Sequence, residues 1–121
     1  MLIQLMQERH GDVLNLDPRV SVAKQFIDDN FHKKIVAAEL ATVSHLSIRQ
    51  LNELFRTQVG MTLHYYLTEL RMQESWRLLE QWDLNIQRIA DSVGYSSLSS
   101  FSDRFSRHFG KSPSHFRRKS K

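Results

Sequence analysis

A chain of 121 residues without cysteine has no disulfide, thiolate metal site or cysteine nucleophile, and its length argues against a sizeable enzyme cleft. Its composition, 40% hydrophobic and 25% charged, is that of an ordinary globular protein, and only four glycines and two prolines interrupt it, which favours helices. The longest apolar runs are too short to cross a bilayer and no charged leader precedes one, so we expect a soluble cytoplasmic protein without membrane contact.

The net charge of +4 is unevenly distributed along the chain. From Arg104 to Lys121 there are seven Lys or Arg and no Asp or Glu, whereas the preceding residues carry ten basic and thirteen acidic side chains. Basic residues alternate with Phe105, Phe109 and Phe116 in this stretch, which indicates that part of it is folded rather than a solvated tail. A polyanion is therefore the leading candidate partner.

The N-terminal part of the chain predicts a linker followed by one helix. Residues 1–17 show no sustained hydrophobic period, so we expect a linker or a flexible segment there. Asp17 and Pro18 are typical of a helix start, because Asp caps free N–H groups and Pro suits the first turn. Apolar residues at helical spacing then extend this first helix to about Asn30.

The next two predicted helices form a helix-turn-helix pattern. They run over about 35–43 and 47–59 and are separated by a short turn, a spacing typical of this motif. Ser47 with Gln50 predicts a capping box at the start of the second helix, and Gly60 predicts its end.

A stretch of about twenty-one residues without Gly or Pro, 62–82, predicts a long connecting helix of roughly 30 Å. Its apolar residues lie on one face in the first half and on nearly the opposite face in the second half. We therefore expect a rigid bridge between two small cores.

The pattern then repeats after the bridge. Asp83 or Asn85 caps a predicted helix over 86–93, and a second helix follows over 97–109. The repeat offset is about 50 residues, which aligns Phe101, Phe105 and Gly110 with Leu51, Phe55 and Gly60. A last short helix is predicted to begin at Ser112 and Pro113, with RRKSK as a disordered end.

These elements predict an all-α protein of about seven helices with two helix-turn-helix subdomains. The predicted divisions are a linker in 1–17, a first helix-turn-helix subdomain in 18–61, a connecting helix in 62–82, a second helix-turn-helix subdomain in 83–118 and a basic tail in 119–121. Two recognition helices held by a rod of about 30 Å match the roughly 34 Å repeat of B-DNA, which predicts that they enter successive major grooves.

The second motif lies in the segment IQRIADSVGYSSLSSFSDRFSRHFGKSPSHFRR, which carries Ile-Ala, Gly-Tyr, Phe-x-x-x-Phe, Phe-Gly and Ser-Pro-x-x-Phe-Arg elements. In these elements it strongly resembles the signature of the AraC/XylS family of bacterial transcription regulators. The first half, LATVSHLSIRQLNELFRTQVGMTLHYYLTELRMQES, resembles that family's first motif and connecting helix. The resemblance covers residues 20–118 and implies a seven-helix unit that binds double-stranded DNA, contacts RNA polymerase and is usually attached to an effector-sensing domain, here on a missing N-terminal part of a longer chain.

The resemblance also implies which residues meet DNA. Base contacts are expected from Arg49, Asn52 and Glu53 in the first groove and from Leu98, Ser99, Ser102 and Asp103 in the second. Phosphate contacts are expected from Arg56, Arg104 and Arg107. The cap residues Ser47, Gln50 and Ser97 complete the predicted DNA-binding set.

The sequence departs from the family at His45, where Gly is common, and at Glu53 and Asp103, where recognition helices often carry Arg. For each carboxylate, base contact and a solvated or intrahelical ion-paired state are equally weighted alternatives. For Ser99 and Ser102 the alternative is plain exposed serine.

No feature of the sequence indicates catalysis or a cofactor. The six histidines form no His-x-x-x-His pair, and no phosphate-binding glycine loop or Ser-His-Asp constellation is present. The methyl-accepting DNA-repair relatives of the family rely on cysteine, which is absent. We predict a transcription regulator, with an activator as the expected type; the alternative is a helical protein-interaction module without specific DNA readout.

Overall fold

The computed structural model describes residues 16–81 and 83–120, with side chains described up to Arg117. In this part of the chain every regular element is an α-helix. The helices are α1 (Pro18–Asn30), α2 (Ala37–Ser44), α3 (Ile48–Val59), α4 (Leu63–Leu79), α5 (Ile86–Ser92), α6 (Leu98–Phe109) and α7 (Pro113–Ser120). The prediction of an all-α chain with about seven helices is therefore confirmed. The linker predicted over 1–17 lies mostly outside the described residues.

The chain divides into two compact units. Within the described residues, the first unit comprises residues 16–29 and 35–66, and the second comprises Asn30–Lys34 and everything from Leu67 onward. The boundary falls inside α4 after Tyr66, so the two ends of this helix contribute to different units. The short segment Asn30–Lys34, between α1 and α2, belongs to the second unit, which the sequence did not predict.

The first unit is built on the apolar faces of α1, α3 and the start of α4. Asp17 directly precedes α1, and its carboxylate accepts from the Arg19 backbone N–H at 2.8 Å. The Tyr66 ring meets Phe55 edge-on at 5.6 Å between centroids, and its hydroxyl donates to the Asp28 carboxylate. The buried apolar side chains of this unit are Val20, Ala23, Ile27, Leu40, Leu46, Leu51, Phe55 and Tyr66.

The second unit has an aromatic-rich core. Asn85 caps α5 by accepting from the Arg88 backbone N–H at 2.8 Å, which resolves the choice between Asp83 and Asn85. The core contains Met72, Leu78, Leu79, Ile89, Ala90, Val93, Phe101 and Phe105, with Leu84, Ile86, Tyr95, Phe109 and Phe116 packed against it. Phe116, from the last helix, contributes to this core as the sequence predicts.

The connecting helix ends earlier than predicted, at Leu79 rather than at residue 82. After its last turn the backbone N–H of Gln81 donates to the Leu78 carbonyl at 2.9 Å, a tighter turn than an α-helix makes. The Arg117 guanidinium then binds the carbonyl oxygens of Leu79 at 2.9 Å and Gln81 at 3.0 Å, and that of Leu84. Because these carbonyls are satisfied by a side chain, the helix can end there.

The last helix is longer than predicted. Helix α7 continues to Ser120, where the sequence predicts a disordered RRKSK end and a basic tail over 119–121. Arg117 explains part of the difference, because its guanidinium is fixed against the backbone between α4 and α5. One cation of the basic C-terminal stretch is therefore structural.

The two helix-turn-helix turns begin with the same type of backbone hydrogen bond, although the second turn is one residue longer before the serine cap of the next helix. In the first, the N–H of Leu46 donates to the Ala41 carbonyl at 3.2 Å, and in the second the N–H of Tyr95 donates to the Ala90 carbonyl at 3.0 Å. Such six-to-one bonds are typical of a Schellman helix end, which requires a left-handed residue. That residue is Gly94 (φ 94°) in the second turn and His45 (φ 60°) in the first.

Candidate nucleic-acid interface

The start of α3 is fixed by a reciprocal capping box. The Ser47 hydroxyl accepts from the Gln50 backbone N–H at 3.1 Å, and the Gln50 side-chain oxygen accepts from the Ser47 N–H at 3.1 Å. At the other end, Gly60 adopts φ 93° and its N–H donates to the Arg56 carbonyl at 3.0 Å. The side chains of Ser47 and Gln50 thus have a structural task in addition to the DNA contact predicted for them.

Helix α3 exposes one polar face and buries the opposite face. Leu51 and Phe55 are buried, whereas the predicted contact residues are exposed. The others lie three, four and seven residues after Arg49, which places them with Arg49 on one stripe of the helix. The stripe consists of Arg49, Asn52, Glu53 and Arg56.

An open pocket of about 490 Å³ lies beside this stripe. Its lining combines α3 with the start of α1 and the end of the turn: Arg19, Leu46, Gln50, Glu53, Leu54, Arg56 and Thr57. Arg19 makes two side-chain hydrogen bonds to Asp17, at 3.1 and 2.8 Å, and these bonds are the main reason why the pKa of Asp17 falls to about 2. Arg19 was not among the predicted contact residues, because it lies outside the helix-turn-helix pattern.

Helix α6 has the same plan in the second unit. The Ser97 hydroxyl accepts from the Ser100 backbone N–H at 3.0 Å, and Gly110 ends the helix at φ 91°. Phe101 and Phe105 are fully buried on its inner face. On the outer side Leu98, Ser99, Asp103 and Arg107 are exposed, and Ser102 and Arg104 are partly buried.

The two carboxylates of the predicted sites have different surroundings. Asp103 forms an ion pair with Arg107, with 3.3 Å between Oδ2 and Nε, as expected for residues one helical turn apart. Both side chains are about two-thirds exposed, so this pair contributes at most about 0.5 kcal/mol to helix stability. Glu53 makes no ion pair within residues 16–81 and 83–117.

Two polar contacts fix the surroundings of α6. His108 Nε2 lies 3.2 Å from Glu69 Oε1, and each side chain is only one-fifth exposed, which ties α6 to α4. Arg71 stacks on the Tyr95 ring at 5.3 Å from its centroid, immediately before α6. Burial raises the pKa of Tyr95, and the nearby positive charges of Arg71 and Arg104 oppose this rise. Arg104 is therefore close to Tyr95 as well as near the outer face.

Among the described residues, no group of three or more His, Asp or Glu is arranged to hold a metal ion. Within the same residues no helix is long and apolar enough to span a membrane.

The family comparison matches the region that contains both motifs. Residues 40–119 match the family described as a helix-turn-helix domain, which is of the AraC type. The chain belongs to the AraC-type helix-turn-helix family. This confirms the resemblance stated from the sequence.

Similar proteins are transcription regulators of this family. The chain is 32% identical over 114 residues to a probable transcriptional regulator, LumQ, of Photobacterium leiognathi, covering 94% of this chain and 44% of LumQ. It also covers less than half the length of other curated relatives.

Solved AraC-type domains have the same fold. The C-terminal domain of AraT, a response regulator from Geobacillus stearothermophilus, is 30% identical with a TM-score of 0.81, and 86% of this chain aligns with 87% of that one. The DNA-binding domain of AdpA, solved in complex with a target DNA, is 27% identical with a TM-score of 0.74, and the coverage is 84% of this chain and 90% of that one.

Proposed function

We propose that this chain is the sequence-specific DNA-binding unit of a bacterial transcription regulator, with α3 and α6 as its two recognition helices. The observation that carries this proposal is the equivalence of these helices. Each begins at a serine cap, ends at a left-handed glycine, buries two side chains four residues apart and exposes a polar face. Two such helices fit a polymer whose major groove repeats every ten base pairs.

The exposed faces divide by chemistry into base-reading and phosphate-binding groups. We assign base contacts to Arg49, Asn52 and Glu53 on α3 and to Leu98, Ser99 and Ser102 on α6. Asp103 is paired with Arg107, and we assign it the role of orienting that arginine. We assign phosphate contacts to Arg56, Arg104 and Arg107, because guanidinium groups pair well with phosphate oxygens. The caps Ser47, Gln50 and Ser97 position the first turns, where recognition helices meet base edges.

The regulator as a whole is proposed from the family. We infer that this unit acts within a longer protein that carries an effector-sensing domain and contacts RNA polymerase as an activator, in the bacterial cytoplasm on nucleoid DNA. The support is the length of LumQ, of which this chain covers 44%. We propose no catalytic activity.

One observation favours a second candidate, a helical protein-interaction module. Trp76 is 40% exposed although its ring lies 4.9 Å from that of Phe109 and 5.0 Å from that of Phe116. An exposed tryptophan backed by partly buried aromatic rings suits a protein partner. The two candidates differ in salt response, because phosphate binding releases counterions and weakens steeply with ionic strength, whereas an apolar interface does not.

Selection of bound sequences from random DNA tests the proposal. We expect enrichment of one site, steep salt dependence and a footprint with two protected segments about ten base pairs apart on one face of the duplex. A single protected segment at saturating protein would contradict the two-groove arrangement. Failure to enrich any sequence would contradict sequence-specific binding and favour the interaction module.

A further inference from the structure

Two large apolar side chains stand exposed at the same position of the two recognition helices. Ile48 is 45% exposed and Leu98 is 39% exposed, and each is the first residue of its helix. Leu98 belongs to the predicted contact set, whereas Ile48 has no assigned role. Their equivalence needs an explanation, because the rest of each outer face is polar or charged.

The equivalence does not depend on sequence alignment alone. Each residue directly follows a serine whose hydroxyl accepts from a backbone N–H three residues later, at 3.1 Å for Ser47 and 3.0 Å for Ser97. Each also lies three residues before a fully buried anchor, Leu51 or Phe101. The cap and the anchor set the rotation of the first turn, so both residues occupy the same position on the first turn of their helices.

We propose that Ile48 and Leu98 each contact the C5-methyl group of a thymine in the major groove; this proposal rests on the proposed DNA binding. Thymine's methyl is the apolar feature that a major groove offers, and apolar side chains are its usual partners. Ile48 lies one turn before Asn52, so the amide and the apolar side chain share the face that meets base edges. The N-terminal end of a recognition helix is also the part that contacts bases.

A ligand with a repeating surface explains why both recognition helices begin with an exposed apolar residue. A single exposed apolar side chain suits many partners. An exposed apolar side chain at the same helix position in both units suits a ligand that presents the same surface twice. Double-stranded DNA does so at every helical turn. A protein partner would have to offer two matching apolar sites, and the experiment below distinguishes such a partner from DNA.

Deoxyuridine substitution isolates the methyl group, because deoxyuridine pairs like thymine and lacks only that group. In the selected site each thymine is replaced singly by deoxyuridine, and affinity is measured with the wild-type protein and with Ile48→Ala and Leu98→Ala. We expect about a fourfold loss at one thymine in each half of the site for the wild-type protein, as for removal of one buried methyl. Ile48→Ala should abolish the loss at one of them, and Leu98→Ala at the other.

Val22→Ala is the matched control, because Val22 is 46% exposed and lies on α1, outside both helix-turn-helix motifs. It should leave every deoxyuridine effect unchanged, and unfolding curves should show all three variants folded. The proposal is overturned if Ile48→Ala retains every deoxyuridine effect, as it would if Ile48 binds a protein partner. It is also overturned if Ile48→Ala weakens thymine and deoxyuridine sites equally, as loss of a contact elsewhere on the DNA would. Failure to select any site overturns the proposed function itself, which is a different result.

Discussion

Arg71 donates from Nε to the carbonyl oxygen of Phe31 at 2.8 Å, and from Nη2 to that of Lys33 at 2.8 Å. One half-buried guanidinium of α4 thus holds the segment that follows α1. Gly94 lies against the same contact: a Cβ built on it would be 2.9 Å from Arg71 Nη2 and 3.0 Å from the Phe31 oxygen. The second helix-turn-helix turn therefore has no space for a side chain at this position.

The first prediction follows from that close approach. Gly94→Ala should lower the free energy of unfolding of the second unit by about 3 kcal/mol, because left-handed strain is added to the tight contacts that a Cβ would make with the Arg71 guanidinium and the Phe31 carbonyl oxygen. The matched control is Gly110→Ala, at φ 91° in the same unit with nothing within 4 Å, where strain alone should cost about 1 kcal/mol. Denaturant unfolding measures both. Equal losses would contradict the claim that Arg71 and Phe31 leave no room.

At the left-handed position of the first helix-turn-helix turn, the second prediction is a gain in the free energy of unfolding. His45 occupies the left-handed position with φ 60°, and its side chain is exposed. His45→Gly should raise the free energy of unfolding by about 1 kcal/mol, because glycine adopts this conformation without steric cost. His45→Ala keeps the Cβ and should be close to neutral. A gain with alanine as large as that with glycine would show that the imidazole, and not the backbone, is unfavourable.

Local signals account for what the sequence predicted well. The Ser47 and Gln50 box, the stops at Gly60 and Gly110 and the apolar spacing of the helices involve residues three to seven apart, so they are legible without a structure. Long-range contacts by polar side chains carry no such period. Arg71 bonds to a residue 40 positions away, and Arg117 to residues 33 to 38 positions away, so neither the placement of Asn30–Lys34 nor the early end of α4 was predicted.

The candidate site also has features that the sequence predicted and features that it did not. Exposure of Arg49, Asn52, Glu53 and Arg56 follows from the helical period, and the structure has these residues exposed. The partial burial of Arg104 near Tyr95 depends on tertiary packing and was missed. The pairing of Arg19 with Asp17 is local, but it lies outside the helix-turn-helix pattern and was also missed.

A third prediction concerns the basic residues of α6. Arg107→Ala and Arg104→Ala should each weaken binding to the selected site and to random DNA alike, and reduce the slope of log affinity against log salt by about one unit. Releasing Arg107 from Asp103 costs little, because their pair is exposed. Arg77→Ala is the control, since Arg77 is exposed and paired with Glu74 one turn away on α4. A loss confined to the selected site with an unchanged slope would move that arginine to base readout.

The last prediction concerns Glu53, a carboxylate on the exposed stripe of α3. Near DNA, such a group either repels phosphates or accepts a hydrogen bond from the amino group of a cytosine, and these outcomes change affinity in opposite directions. Cytosine readout is favoured, because Arg49 and Arg56 lie on the same face and offset repulsion from the backbone. Asp103 differs because it is already paired with Arg107, so we expect it to orient that arginine instead.

The test compares Glu53→Gln with Asp103→Asn against the selected site and all its single-base variants. Glu53→Gln should lose about 1 to 3 kcal/mol of binding free energy in a way that depends on one cytosine, whereas Asp103→Asn should change affinity without base dependence. If Glu53→Gln instead bound every sequence more tightly by the same factor, its carboxylate would act only through repulsion of phosphates, and Glu53 would have no part in base recognition.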